Sequence, residues 1–298
     1  MLITRATHPS TLWPGIKSFF GLTYEEWEPL YNQIFTEETS DKAYEEVSEQ
    51  TGFGPARVKS EGQSIVYDVD GEGRKQRFTN VTYGLGYMVS REEIEDDQYT
   101  YVSRNRSKAL AFSMRSSKEM VHANILNRAF NNQYVGADGQ PLISDSHPTR
   151  GGLQSNKVAD ADLSESSLED AFKLMWSAKN ARGLPIVLRG VKLVIHPSEL
   201  FNAERILKST MRVGTANNDT NAIRSMGLAP QVVANPYLTD LDAWFLRTNV
   251  DGLTTYKRRA VEFQKADDFD TENVKAKATE RYSAGWSDFR AIYGSQGT

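Results

Sequence analysis

The sequence predicts an α+β fold built around one long helix, and three observations carry that prediction. A hairpin pattern occupies residues 64–83, no Gly or Pro occurs between Gly86 and Gly136, and residues 274–286 alternate apolar and polar side chains. The chain has 298 residues, of which 39% are hydrophobic and 25% charged, the composition of a soluble globular protein with material for a sizeable core.

The first 55 residues read as an arm. Apolar groups around Trp13, Phe19 and Phe20 precede one predicted helix. Thr23-Tyr24-Glu25-Glu26 has the capping-box pattern, and Trp27, Leu30, Tyr31, Ile34 and Phe35 then share a helical face, with Pro29 near its start. Glu45 to Pro55 is polar, as a connector would be.

Residues 56–90 hold the hairpin. Strand-like runs at 64–69 and 77–83 flank Asp70-Gly71-Glu72-Gly73, an Asp-Gly turn signal. Ile65, Tyr67 and Val69 fall on one face, but Lys75, Gln76 and Arg77 interrupt any matching apolar row. An isolated two-stranded ribbon is marginal in water. The hairpin therefore needs a covering surface, either on its own domain or on a neighbouring subunit. The contact residues expected on the second reading are Tyr67, Val69, Asp70, Arg74, Phe78 and Val81.

Residues 91–160 begin with the helix. From about Gln98 to Asn131 it would run ~50 Å at 1.5 Å per residue, a spine on which other layers lie. Leu110, Met114, Val121, Ile125 and Ala129 form the expected buried stripe, with Arg104, Arg106, Lys108 and Arg115 on wet faces. Two shorter helices broken near Ser116-Ser117 are the alternative the sequence permits. Gly136 to Pro141 and Pro148 to Asp162 break regular structure.

Residues 161–260 form a second lobe. Ser166-Ser167-Leu168-Glu169 opens a helix carrying Leu168, Ala171, Phe172, Met175 and Ala178. Lys192 to His196 reads as a buried strand, and Pro197 opens a helix through Ala203, Ile206 and Leu207. A loop at 214–221 precedes strands at 231–234 and 243–247. In the last part, 261–298, Val274, Ala276, Ala278, Tyr282, Ala284 and Trp286 make one face of a strand that only Glu280 interrupts.

Several function classes drop out. No apolar run approaches the ~20 residues of a membrane span, and without cysteine there is no disulfide, thiolate nucleophile or Cys-bound zinc. A net charge of −4 argues against gripping nucleic acid, and Lys257-Arg258-Arg259 is too small a patch to reverse that. His8, His122, His147 and His196 match no ligand spacing. Ser144-Asp145-Ser146-His147 has the residue types of a hydrolase triad, but adjacent side chains do not line up in relay. The acidic run Glu92 to Asp97 is better explained as favourable charge before a helix N-terminus than as a metal or acid/base site. No catalytic, cofactor or metal residue is assigned.

The segments Arg91-Glu92-Glu93-Ile94-Glu95-Asp96-Asp97-Gln98-Tyr99 and Asp138-Gly139-Gln140-Pro141-Leu142-Ile143-Ser144-Asp145-Ser146-His147-Pro148 together resemble the major head subunits of Mu-like tailed phages, within the Hong Kong 97-type capsid fold. The family often has Phe where Ile143 stands. The likeness extends over nearly the whole chain. It implies an N-terminal arm (1–55), an extended hairpin or E-loop (56–90), a peripheral domain with the spine helix (91–160), an axial α/β domain (161–260) and return strands to the peripheral domain (261–298). It further implies a non-enzymatic subunit without cofactors that forms hexamers and pentamers of an icosahedral head. The head would enclose double-stranded DNA without sequence-specific contacts or any membrane. Separate scaffolding and portal proteins and a decoration protein would be its partners. Assembly would take place in the bacterial host cytoplasm and the product would be the virion. Covalent cross-linking is not implied by any residue pair here. A tail or adhesin component and a hydrolase using Asp145 and His147 stand as the alternatives.

Overall fold

The computed structural model describes residues 13–26, 28–90, 92–93, 99–212, 219–268 and 273–298. Two four-stranded sheets and a central helix form its frame. In the first sheet β1 (Thr36–Thr39) runs parallel to β10 (Leu253–Asp267), which pairs antiparallel with β11 (Val274–Trp286), itself antiparallel to β4 (Val81–Val89). In the second, β12 (Ile292–Ser295), β9 (Trp244–Thr248), β7 (Gly190–Ile195) and β8 (Gln231–Ala234) lie in that order. Two ribbons complete the set: β2 (Tyr44–Gln50) with β3 (Glu72–Thr79), and β5 (His147–Thr149) with β6 (Gly152–Gln154).

The spine α3 (Tyr99–Asn127) is one continuous helix of 29 residues, with no break at Ser116-Ser117. It lies across the first sheet, where the small side chains of Ala276 and Ala278 on β11 let the helix approach closely beside Leu110 and Met114. Phe20 of α1 (Trp13–Tyr24), Leu110, Ala111 and Met114 of the spine, and Phe263 of β10 close that layer. At its C-terminal end Leu126 and Ala129 pack on Val194, Phe245 and Ile292 of the second sheet. The opposite face of that sheet, with Leu193, Ile195, Trp244, Leu246 and Tyr293, is covered by α4 (Glu165–Trp176) and α5 (Leu200–Lys208). Burial on both faces explains why β7 and β9 read as continuous apolar runs.

Several expectations are met in detail. Leu168, Ala171, Phe172 and Met175 are buried, with Ser164 as the capping residue two positions before the expected box. β11 spans the alternating segment. Others are corrected. The predicted helix beginning at the Thr23 box is instead the end of α1, and only one turn, α2 (Tyr31–Ile34), follows. Pro29 has no N–H to donate and disfavours helical backbone at the residue before it, so the two helices cannot fuse. Glu45 to Pro55 is not all connector, since Tyr44–Gln50 is a strand. The strand pairings cross the expected boundary at residue 260: β10 starts at Leu253 in the first sheet, and the C-terminal β12 returns to the second. Of the 214–221 loop, residues 214–218 lie outside the described residues, as do Trp27, His8 and Ile94 to Asp97.

Candidate functional site

The hairpin differs from its prediction. Residues 64–69 form no strand; β3 pairs with β2, and the 21 residues between Gln50 and Glu72 make a long loop without regular structure. The 77–83 run is also divided, ending β3 at Thr79 and opening β4 at Val81. The Asp-Gly signal is real but has another use. Asp70 accepts the Gly52 N–H at 2.8 Å and Asp68 accepts that of Gly54 at 2.8 Å, while Thr51 and Gly71 exchange backbone and hydroxyl hydrogen bonds near 3.0 Å. These bonds close the loop's neck.

Beyond the neck the loop presents apolar side chains to solvent: Phe53, Val58, Ile65, Val66, Tyr67 and Val69, with Val58 at 95% and Tyr67 at 90% exposure. Of the expected contact residues, Tyr67, Val69 and Asp70 belong to this loop, and Val81 is half exposed at the start of β4. Arg74 instead donates to Pro148 O at 2.6 Å in its own chain, lining a cavity of about 320 Å³ at the loop's root with Glu49, Asp138, Asp288 and Arg290. Phe78 is a correction. It is 4% exposed, packs on the Tyr256 ring at 5.1 Å and covers Gly285, so it belongs to the subunit's own core.

A second polar concentration lies between the spine and residues 24–31. Arg115, Lys118, Glu119 and His122 occupy the buried stripe of the spine, so Arg115 is not on the wet face its sequence position predicts. Glu119 accepts the backbone N–H groups of Leu30 and Tyr31 at 2.9 and 3.0 Å, fixing α2 to the spine. Burial pushes its carboxyl above the usual range despite those bonds and nearby Arg115. Glu280, the one misfit of β11, pairs with Lys118 at 3.4 Å and accepts from the Tyr24 hydroxyl at 3.1 Å. His122 is stacked on Tyr31 with ring centroids 4.3 Å apart. Its Nδ1 faces only the Lys118 carbonyl, at 2.7 Å, and must carry the proton; Nε2 then accepts from Thr255 Oγ1 at 2.8 Å. Burial lowers its pKa to about 4, so the ring is neutral.

His147 is likewise engaged on both sides. Nδ1 meets Asp138 Oδ2 at 2.5 Å and Nε2 meets Asn156 Oδ1 at 3.0 Å, while the ring stacks on Phe289 at 4.0 Å. The Asn156 amide is oriented by its NH2 donating to Leu142, Phe289 and Ile292 carbonyls. Burial would raise the Asp138 carboxyl, yet the His147 bond and the Gln140 N–H hold it below its ordinary value. Ser144 Oγ bonds Gln140 and Asp145 lies toward Ser155, so the 144–147 side chains form no relay. Glu93, from the acidic run, pairs with Arg106 at 2.9 Å. Among the described residues no three His, Cys, Asp or Glu side chains converge to hold a metal, and no helix is long and apolar enough to cross a membrane.

The apolar side chains of the 51–71 loop stand in solvent. A family model described as phage capsid protein matches residues 74–295, from β3 to the end of β12. The chain belongs to the phage capsid protein family. As such the capsid protein is a structural component of a phage head shell and of the virion. The asymmetric unit of the bacteriophage PhiM1 mature capsid is similar in fold, with TM-score 0.58 and 11% identity over 91% of this chain and 88% of that one. A virus-like particle from Pyrococcus furiosus gives 0.55 and 11% over 95% and 98%, and the procapsid of bacteriophage JBD30 gives 0.52 and 15% over 98% and 76%. At such identities the likeness is one of architecture, and the capsid protein has the Hong Kong 97-type fold. No curated protein sequence matches it.

Proposed function

We propose that the capsid protein is the repeating subunit of an icosahedral head of a tailed, double-stranded DNA phage of the Mu-like kind, assembled from hexamers and pentamers in the host cytoplasm. The loop at 51–71 carries the reading: its apolar side chains have no cover among the described residues, and removing them from water against a second copy is favourable by roughly 25 cal/mol per Å². In this reading the spine and first sheet form the peripheral domain, and the second sheet with its helices forms the axial domain near the capsomer centre. Tyr67, Val69, Asp70 and Val81 remain contact residues. A net charge of −4 suits a wall that encloses DNA without holding its phosphates. Scaffolding, portal and decoration functions belong to other chains, and the subunit is not an enzyme.

The test is electron microscopy and sedimentation of the purified protein, alone and with its scaffolding partner. Capsomers or polyhedral shells are expected. A monomer under every condition would overturn the proposal, and trimeric or fibrous particles would move it to a tail or adhesin component.

A further inference from the structure

The loop is gripped at its neck by one side chain from a turn far along the chain. Arg182 sits in the turn 180–184 before β7, where the Asn180 side chain accepts the N–H groups of Arg182 and Leu184, both at 2.9 Å, and Asn180 N donates to Leu184 O. Gly183, at φ +85°, lies flush against Gly151 of the β5–β6 turn, where an added Cβ would come within 2.7 Å of Gly183 N. The turn is thus a fixed mount. From it the Arg182 guanidinium donates through Nε to Gly52 O at 3.2 Å and through Nη2 to Val69 O at 2.6 Å, and lies 3.7 Å from Asp68 Oδ1. It thereby reaches both legs of the neck at once.

We infer that Arg182 is a positioning residue for assembly: its clasp on Gly52 and Val69 sets the angle at which residues 53–70 leave the subunit and so where they meet the next copy. The inference rests on the loop being an inter-subunit contact. Carbonyl oxygens and a carboxylate are all acceptors, and the planar five-donor guanidinium can serve several of them from one position, which an ammonium on a flexible stem cannot. The β2–β3 ladder and the neck's own bonds survive without Arg182. Its loss is therefore expected to free the loop's direction without unfolding the subunit.

The experiment compares Arg182→Gln, Arg182→Lys and a deletion of residues 55–67 in the full chain. It measures amide hydrogen exchange of unassembled subunits and particle morphology after assembly. For Arg182→Gln, exchange across 52–54 and 68–70 should rise about 10-fold, in keeping with loss of charge-assisted hydrogen bonds. Exchange in the spine and both sheets should stay unchanged. Closed, uniform shells should give way to irregular or open particles, with Arg182→Lys intermediate. Uniform shells from Arg182→Gln overturn the clasp, whether or not exchange has risen. Should Arg182→Gln misfold, Arg182→Lys decides alone, and wild-type exchange and shells from it overturn the inference. The deletion separates the two claims: if it still forms normal shells, the loop is no inter-subunit contact and the underlying reading fails. If the deletion abolishes shells while the Arg182 variants assemble uniformly, only the clasp fails.

Discussion

At the scale of single residues, the arm is joined to the spine by polar groups buried at the helix's midpoint. Lys118 and Glu280 are both nearly inaccessible, and an ion pair there gains its Coulomb energy only against a desolvation cost of several kcal/mol per ion. What recommends the pair is register: it admits one alignment of α1, α3 and β11. His122 gives this centre a pH dependence. An imidazole kept neutral in the fold, with a pKa near 4 against 6.5 when unfolded, contributes stability that is complete above pH 6.5 and lost as pH falls toward 4. The size is about 3 kcal/mol at most. Glu119 works the other way, favouring the folded state as it takes up a proton at acid pH. Urea titrations of the unassembled subunit from pH 7 to 4 should show the loss, and His122→Gln should flatten it; an unchanged slope would mean that His122 is not the titrating group. The sequence marks Glu280 as the single break in an apolar alternation, but nothing in it announces a partner at Lys118, because the pair is separated along the chain and meets only through tertiary packing.

The elements show where periodicity informs and where it misleads. On the spine the buried positions run 107, 110, 111, 114, 115, 118, 119, 122, 123 and 126, an unbroken helical stripe whose middle is ionic. Hydrophobicity follows that stripe through Leu110 and Met114, then drifts to Val121 and Ile125 on its margin, since Lys118, Glu119 and His122 sit where apolar side chains would be sought. β11 was legible because it is wet on one face only. β10, its partner, was not: Lys257-Arg258-Arg259 falls where the register shifts between Lys257 and Glu262, and the irregular pairing erases the two-residue period. The close approach of spine and sheet has a consequence at Ala278. It is fully buried beside Phe263 and Leu85 and faces the layer of Phe20, Leu110 and Met114. Ala278→Leu should cost about 1–3 kcal/mol by overpacking, whereas Lys277→Ala on the wet face should stay within about 0.5 kcal/mol. Urea midpoints of the two variants provide the comparison, and equal midpoints would mean that β11 and the spine are loosely packed.

On the scale of the whole molecule, the subunit separates a core complete in itself from a loop that is not. The sequence placed an unsatisfied ribbon near residues 64–83, and the need for cover was legible in Ile65, Tyr67 and Val69. The pairing differs because Asp70-Gly71 reads locally as a hairpin turn, while the carboxylates of Asp68 and Asp70 are used across the neck with Gly54 and Gly52, a long-range match that no local pattern contains. This division makes stability and assembly separately addressable. Val58 and Tyr67 are almost fully exposed among the described residues, so Val58→Asp and Tyr67→Asp should leave the subunit's unfolding within about 0.5 kcal/mol of wild type. On the proposed reading, in which the loop meets an apolar surface of the next copy, a carboxylate there carries a penalty of at least a few kcal/mol. At about 1.4 kcal/mol per tenfold, shell yield in sucrose-gradient sedimentation should fall at least tenfold. A large drop in subunit stability for Tyr67→Asp would place the loop against its own body. Undiminished yield from both variants would mean that these side chains stay in water after assembly, and that the contact between copies lies elsewhere on the molecule.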